Sequence, residues 1–203
     1  ECLRILELME RSGSVDVLRG ATEAVKSDSD YEFSEGAQRI VDEALAEEDS
    51  PLYVVVLGPL TNVACAYLHH PEIAERLTCI WIGGGYYPQG CVEFNLRNDI
   101  VAANIIMQSP IELWQVPNNV YGKMKVSFAE LLERVYPCGK IGEYLYNQLV
   151  EFRDSICDTV EDWTRLEYWV LGDSPVVGLI MDPHEYFYTE REAPKIDDDM
   201  LYH

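Results

Sequence analysis

Two apolar runs, each closed by glycine, constrain this chain more than anything else in it. Leu52–Leu57 and Leu77–Ile82 carry no charge and are rich in β-branched and aromatic residues. The first stops at Gly58–Pro59, the second at Gly83–Gly84–Gly85. Each reads as a strand buried on both faces, the pattern of a parallel sheet covered by helices. A third strand, Ile111–Val116, ends at Pro117. Helical spacing fills the intervals. Ala37, Ile40, Val41, Ala44 and Leu45 recur behind a capping Ser34, with Asp42, Glu43, Glu47 and Glu48 facing water. A second helix runs from Gly58–Asn62 to about His69. A third, opened by Asp99, carries Ile100, Ala103, Ile106 and Met107. This alternation predicts an α/β fold: an open, mainly parallel sheet with helices on both faces. Ligands of such sheets bind beyond the carboxyl ends of the strands. That rule selects the loops Leu57–Asn62, Gly83–Asn95 and the one after Val116.

The flanks extend the pattern. Cys2, Leu3, Ile5, Leu6 and Met9 share one helical face at the start of the chain. A chain that begins inside an amphipathic helix is expected to be the remainder of a longer protein. Ser12–Gly13–Ser14 then breaks it, and Val15–Leu18 reads as a short strand. Residues 21–33 read as an exposed polar loop. Ser127–Glu130 forms a capping box ahead of Leu131, Leu132 and Val135. Ile141, Tyr144, Leu145, Gln148 and Leu149 continue as helix. An acidic, aromatic stretch at 158–170 leads to Gly172–Asp173–Ser174–Pro175, where Pro175 suits the first turn of a helix through Met181. The tail, with Asp197–Asp199, reads as surface. Without repeat or linker, residues 1–203 are expected to form one domain.

Charge narrows the function. Asp and Glu number 36 against 15 Lys and Arg, a formal charge of −21. Such a surface repels phosphates and anionic lipid, which argues against nucleic acid or membrane as partner. It is compatible with a small-molecule enzyme, or with carboxylates gathered around a cation. The six cysteines form no CxxC and no zinc spacing. They read as reduced thiols of a cytoplasmic protein, Cys65 and Cys79 being buried.

Few residues carry chemistry. Gly83–Gly85 does not match a dinucleotide-binding GxGxxG; it marks close backbone approach to a ligand or a neighbour. Glu93–Phe94–Asn95 lies between a strand end and a helix. A carboxylate, an aromatic and an amide side by side suit sugar hydroxyls; the plainer alternative is a polar loop with Asn95 capping the next helix. Asp173 reads either as an N-terminal helix acid or as a cation or sugar ligand. His69, His70, His184 and His203 are not placed at strand ends. Tyr86, Tyr87, Trp114, Trp163, Tyr168 and Trp169 are core or rim, and a subset is suited to stacking on a base.

Taken in order, Gly58-Pro-Leu-Thr-Asn62-Val-Ala, Pro71-Glu-Ile-Ala, Ile82-Gly-Gly-Gly85, Glu93-Phe-Asn95 with Asp99, and Gly172-Asp173-Ser-Pro resemble the inosine–uridine preferring nucleoside hydrolases. The resemblance runs from near residue 1 to about residue 182. It implies a Rossmann-like sheet and Ca2+-assisted hydrolysis of the N-glycosidic bond of a ribonucleoside, within nucleoside salvage. It also implies a homodimer or homotetramer. By position, Asp173 matches a carboxylate ligand of the ion that also touches the ribose. Leu57 matches a backbone-carbonyl ligand. Glu93 and Asn95 match ribose-hydroxyl contacts, Phe94 the wall between them, and Ile82 a pocket residue that is usually Met. The family's metal and catalytic aspartates come chiefly from a DxDxxxDD-type motif after the first strand. In this chain that segment is expected upstream of Glu1, with the first strand, so the 203 residues alone are expected to be inactive. The position before Asp173, often a His that protonates the leaving base or a Trp that stacks on it, is Gly172. The Tyr86–Val92 loop is shorter than in well-known members. Competing expectations are an inactive nucleoside- or sugar-binding homologue, and a hydrolase of a modified N-riboside.

Overall fold

The computed structural model describes residues 1–47, 50–156, 167–182 and 186–203. Expectations for Glu48, Cys157, most of the 158–170 stretch with Trp163, and His184 lie outside the described residues. In chain order the elements are α1 (Cys2–Leu8), α2 (Glu35–Leu45), β1 (Leu52–Val56), α3 (Thr61–His69), β2 (Leu77–Ile82), α4 (Phe94–Asn98), α5 (Ile100–Met107), β3 (Glu112–Val116), α6 (Asn118–Tyr121), β4 (Lys125–Ser127), α7 (Phe128–Arg134), α8 (Gly139–Ile156), β5 (Tyr168–Val170) and α9 (Pro175–Met181). They fall into two compact units: Leu18–Tyr121 with Gly172–His203, and Glu1–Val17 with Gly122–Leu171.

The larger unit holds a parallel sheet in the order β1-β2-β3, with Val54 opposite Cys79 and Cys79 opposite Leu113. One face packs Leu52, Val54, Val56, Cys79 and Trp81 against α2, α3 and α5 in the main core. On the other face Ile80, Ile82 and Val116 meet Val176 of α9, with Trp114 and Tyr121 beside them. Helices therefore lie on both faces, as the sequence predicts, and β2 is buried on both. β1 departs from expectation: Tyr53 and Val55 are exposed, because α9 packs over β2 and leaves their side of β1 open. Val15–Leu18 is not a strand. Among the described residues no strand pairs with it, and an isolated extended segment has no ladder to hold it.

Local capping signals read correctly. Ser34 Oγ accepts from Ala37 N. Pro175 sits in the first turn of α9. Asp99, buried, opens α5: Oδ1 accepts from Ala102 N at 2.8 Å. Its Oδ2 accepts from Val25 N at 2.9 Å and Thr61 Oγ1 at 2.6 Å, so one carboxylate ties three separate segments. The buried thiols behave as small hydrophobes: burial pushes Cys79 up to about 12, and burial first, then the Asp99 charge, pushes Cys65 up to about 11. The tail is not surface throughout, because Ile196, Met200 and Tyr202 enter the core. The main chain of residue 202 donates to Gln89 O.

In the smaller unit β4 and β5 pair antiparallel, and α1 lies on α8. Arg4 stacks over the Tyr144 ring at 4.3 Å, and the Glu1 carboxylate accepts from Tyr144 Oη at 2.9 Å. Cys2, Leu3 and Met9 of the expected apolar face are exposed, leaving Ile5, Leu6 and Leu8 half-buried. Ser127 Oγ caps α7 through Glu130 N. Among the described residues no helix is long and apolar enough to cross a membrane.

Replacing Asp99 by Ala removes a helix cap and strands two further donors. It is expected to cost about 2–4 kcal/mol, read as a lower denaturant midpoint at unchanged slope. A loss within about 0.5 kcal/mol, as at an ordinary surface position, would contradict this account.

Candidate functional site

The carboxyl ends of β1 and β2 carry the glycine turn and the start of α4, all within the larger unit. The three glycines are each required by a neighbour. A Cβ on Gly83 would meet the Trp81 indole, and one on Gly85 the backbone of Gly90 and Cys91. One on Gly84, whose φ is +76°, would meet Gln115 Nε2 and lie 2.6 Å from Tyr202 Oη. The close approach is therefore to protein groups. Trp81 Nε1 donates to Gly58 O at 3.0 Å, and Gln115 Nε2 donates to Gly83 O at 3.0 Å and Tyr202 Oη at 2.9 Å. The loops after β1 and β2 are thus fixed from below.

Glu93, not Asn95, caps α4. The residue is 3% exposed, and its carboxylate accepts four hydrogen bonds. Oε2 takes Gly84 N and Leu96 N, each at 2.8 Å. Oε1 takes Asn95 N at 3.1 Å and Tyr121 Oη at 2.7 Å. A carboxylate has about four lone-pair sites, so all are engaged, and charge-assisted bonds of this kind are what make a buried charge tolerable. A carboxylate can receive amides at a helix start as an ordinary N-cap does, which is why Asn95 is released from that task. Asn95 Nδ2 instead donates to Ile82 O at 2.7 Å and, more weakly, to Leu57 O at 3.4 Å. The amide clips the ends of β2 and β1 together. Phe94 is 65% exposed, with Arg97 above its ring.

Asp173 differs. It does not cap α9; the capping position is Ser174, which makes no side-chain bond. Among the described residues nothing donates to Asp173. The residue is open to solvent, yet protein around its carboxyl end raises its pKa by burial, with no donor or cation opposing the shift. Its neighbour Gly172 lies against Tyr121: a Cβ there would come 3.1 Å from Tyr121 Cδ2. Through that ring the Gly172–Asp173 turn reaches the Glu93 network. Burial first, and then the bond to Glu93, raise the Tyr121 phenol, which stays protonated.

Leu57, Ile82, Glu93, Phe94 and Asn95 are thus brought together. Tyr121, Gln115 and Tyr202 are the supporting residues that sequence reasoning missed. Tyr121 was detectable in one respect, since it lies in the loop after Val116 that the strand-end rule selects. Tyr86 and Tyr87 are exposed on the 86–92 loop, and Arg191 stacks over Tyr87 at 4.4 Å. Tyr168 and Trp169 lie on β5 of the smaller unit, where Trp169 meets Phe152 edge-on.

A sequence model of the inosine-uridine preferring nucleoside hydrolases matches residues 1–199. The chain belongs to this family. A pyrimidine-specific ribonucleoside hydrolase of Salmonella paratyphi A is 32% identical over 120 residues, 57% of this chain and 38% of that protein. A probable uridine nucleosidase of Oryza sativa subsp. japonica is 26% identical over 170 residues, 79% of this chain and 48% of that one. The chain thus spans less than half the length of these curated relatives. Among solved structures, a purine-preferring ribonucleoside hydrolase from Gardnerella vaginalis superposes with a TM-score of 0.80 at 20% identity, covering 97% of this chain and 70% of that one. A plant nucleoside hydrolase gives 0.65 at 22% identity, covering 81% and 51%. The nucleoside hydrolase fold agrees with the α/β reading.

For a metal, the described residues offer oxygen donors of the right kind: the Leu57 carbonyl, which accepts only one long bond, and the unengaged Asp173 carboxylate. Hard cations take such ligands, and calcium takes 6–8. Among the described residues no group of three His, Cys, Asp or Glu side chains is placed to hold an ion.

A carboxyl whose folded pKa is raised stabilises the fold least when ionised: the folded state binds its proton more tightly, and stability falls as pH rises through the shifted value. Asp173→Asn is therefore expected to raise Tm at pH 7 and leave it unchanged near pH 3, below the ordinary Asp range of about 3.9. A lower Tm at pH 7 would mean that the carboxylate has a stabilising partner.

Proposed function

We propose that the full-length protein hydrolyses the N-glycosidic bond of a ribonucleoside, releasing ribose and the free base. The observation that supports this reading is the hydrogen-bonded arrangement at the strand ends. Asn95 and the glycine turn cap the carboxyl ends of β1 and β2, and Gly172 beside the unengaged Asp173 reaches the same network through Tyr121. A sugar edge suits such a surface, because hydroxyls donate to carboxylates while an amide both donates and accepts. In this reading Asn95 and Asp173 serve the ribose hydroxyls, Glu93 does so by exchanging one of its present donors for a sugar hydroxyl, Phe94 walls the sugar, and Ile82 lines the pocket.

Asp173 and the Leu57 carbonyl would be two of the ligands of a calcium ion. When bound, such an ion supplies Lewis acidity toward water and sugar hydroxyls. The chain's own residues hold and orient. Asn95 keeps the two strand ends in register, and Glu93 fixes the glycine turn through Gly84 N. Carboxylates near the sugar favour a transition state that gains positive charge. A homo-oligomer, a cytoplasmic location, and the absence of nucleic acid or membrane as partner belong to the same proposal.

A second reading is a nucleoside- or sugar-binding homologue without turnover. It is favoured by Gly172, which places no side chain where the resemblance implies a leaving-group acid or stacking ring, and by the Tyr121 ring packed against that position.

The test is base and ribose release by the full-length protein over a panel of purine, pyrimidine and modified N-ribosides, with Ca2+ or with EDTA. Equimolar base and ribose with Ca2+, abolished by EDTA and restored by Ca2+, is expected. Tight nucleoside binding without release would favour the second reading, and release from a modified riboside alone would narrow the substrate class. Neither binding nor release would exclude both.

A further inference from the structure

We propose that residues 194–203 form a clamp that sets the loop after β2, and that Asn104, which holds the clamp, is a positioning residue for catalysis. The second half of this statement rests on the hydrolase reading above; the first does not.

The segment is a small hairpin. Lys195 and His203 exchange main-chain bonds at 3.0 and 2.9 Å, and Ile196 bridges Tyr202 antiparallel. Its bend is braced from within. Asp197 Oδ1 accepts from Asp199 N at 3.0 Å and Leu201 N at 2.8 Å, and Oδ2 meets His203 Nε2 at 2.7 Å. From α5, one side chain holds the hairpin at both polar groups of a single residue. Asn104 Nδ2 donates to Ile196 O at 2.8 Å, and Asn104 Oδ1 accepts from Ile196 N at 2.9 Å. An amide that satisfies both main-chain groups in this way stands in for a strand partner.

The far side of the hairpin grips the loop. Leu201 bridges Gly90, and Tyr202 N donates to Gln89 O at 3.1 Å. Tyr202 is only 8% exposed, and its Oη accepts from Gln115 Nε2 at 2.9 Å and from the Gly85 amide. The loop is shaped to receive the hairpin. Gly84 and Gly90 both have positive φ, and an added Cβ would stand 2.6 Å from Tyr202 Oη at Gly84 and 2.5 Å from Met200 O at Gly90.

What the loop does next ties the clamp to the strand ends. Gly84 N donates to Glu93 Oε2, and Ile82 O, just before the turn, accepts from Asn95. A shift of the turn therefore reaches both side chains. Among the described residues Asn104 hydrogen-bonds none of the candidate site; its influence passes through Ile196, Tyr202 and Gly85. Groups linked in series like this open together rather than one by one.

Hydrogen exchange on the full-length protein reads the clamp, and steady-state kinetics with Ca2+ reads its consequence. In wild type at low denaturant, the amides of Ile196, Tyr202, Gly85 and Gly90 are expected to open as one unit, before Ile80 of β2. Gly85 remaining protected after Ile196 and Tyr202 have exchanged would overturn the clamp. Two variants follow: Asn104→Ala removes both bonds to Ile196, and Tyr202→Phe keeps the ring and deletes the oxygen. Each is expected to speed exchange at Gly85 about tenfold. Each is also expected to raise KM for inosine or uridine about fivefold, with kcat within about twofold. Because both act through one contact, the double variant should lose less than the two single losses together. Additive losses, or faster exchange at Gly85 with unchanged KM, would overturn the positioning role. Should Asn104→Ala fold poorly, wild-type exchange and Tyr202→Phe carry the test. Wild type that releases no base would overturn the hydrolase reading and the positioning role with it, while the exchange results would still decide the clamp.

Discussion

The mouth of this sheet depends on one saturated carboxylate. Glu93 gathers a donor from the glycine turn, two from the first turn of α4 and one from the side chain at the end of α6. Buried carboxylates are costly unless they are bonded on every side, and a group bonded on every side is rigid. The geometry at the strand ends follows from that rigidity. Asn95 is released from capping and bridges two strands, Gly84 is held in its left-handed conformation, and the Tyr121 ring is turned toward Gly172.

Asp173 is the counterpart. It has the same chemical group, close by in the network of contacts, but no donor among the described residues and a pKa raised by burial alone. A folded chain rarely gains from leaving an acid in that condition, and such residues concentrate where function requires them. One acid is bonded on every side and the other has no donor among the described residues. Loop position alone does not distinguish the two.

This difference explains what the sequence made legible. Capping by Ser34, Asp99 and Ser127, the placement of Pro175, and the double burial of β2 are all local signals, carried within a few residues. So is the ordered series of motifs that marks the family. The double burial of β1 failed because it depends on which strand α9 covers. The capping by Glu93 was not legible because its donors come from three elements, one of them 28 residues away. Tyr121 went unnoticed because a tyrosine at the end of a four-residue helix has no pattern of its own; only the glycine at 172, distant in sequence, explains its orientation. The tail misled in the same way: three adjacent aspartates read as solvated surface, while Ile196, Met200 and Tyr202 around them pack inward.

That tail sets an order of events. Gln115 bonds Tyr202 across 87 residues, and the tyrosine oxygen lies beneath Gly84. During synthesis β1, β2 and β3 leave the ribosome well before residue 202. At about 5–20 residues per second the interval is on the order of ten seconds. Over that time β1, β2 and β3 are all available to pair, while the glycine turn lacks the floor beneath it. The nascent chain therefore passes through a stage in which these three strands can pair before the Tyr202 support of the glycine turn has been made.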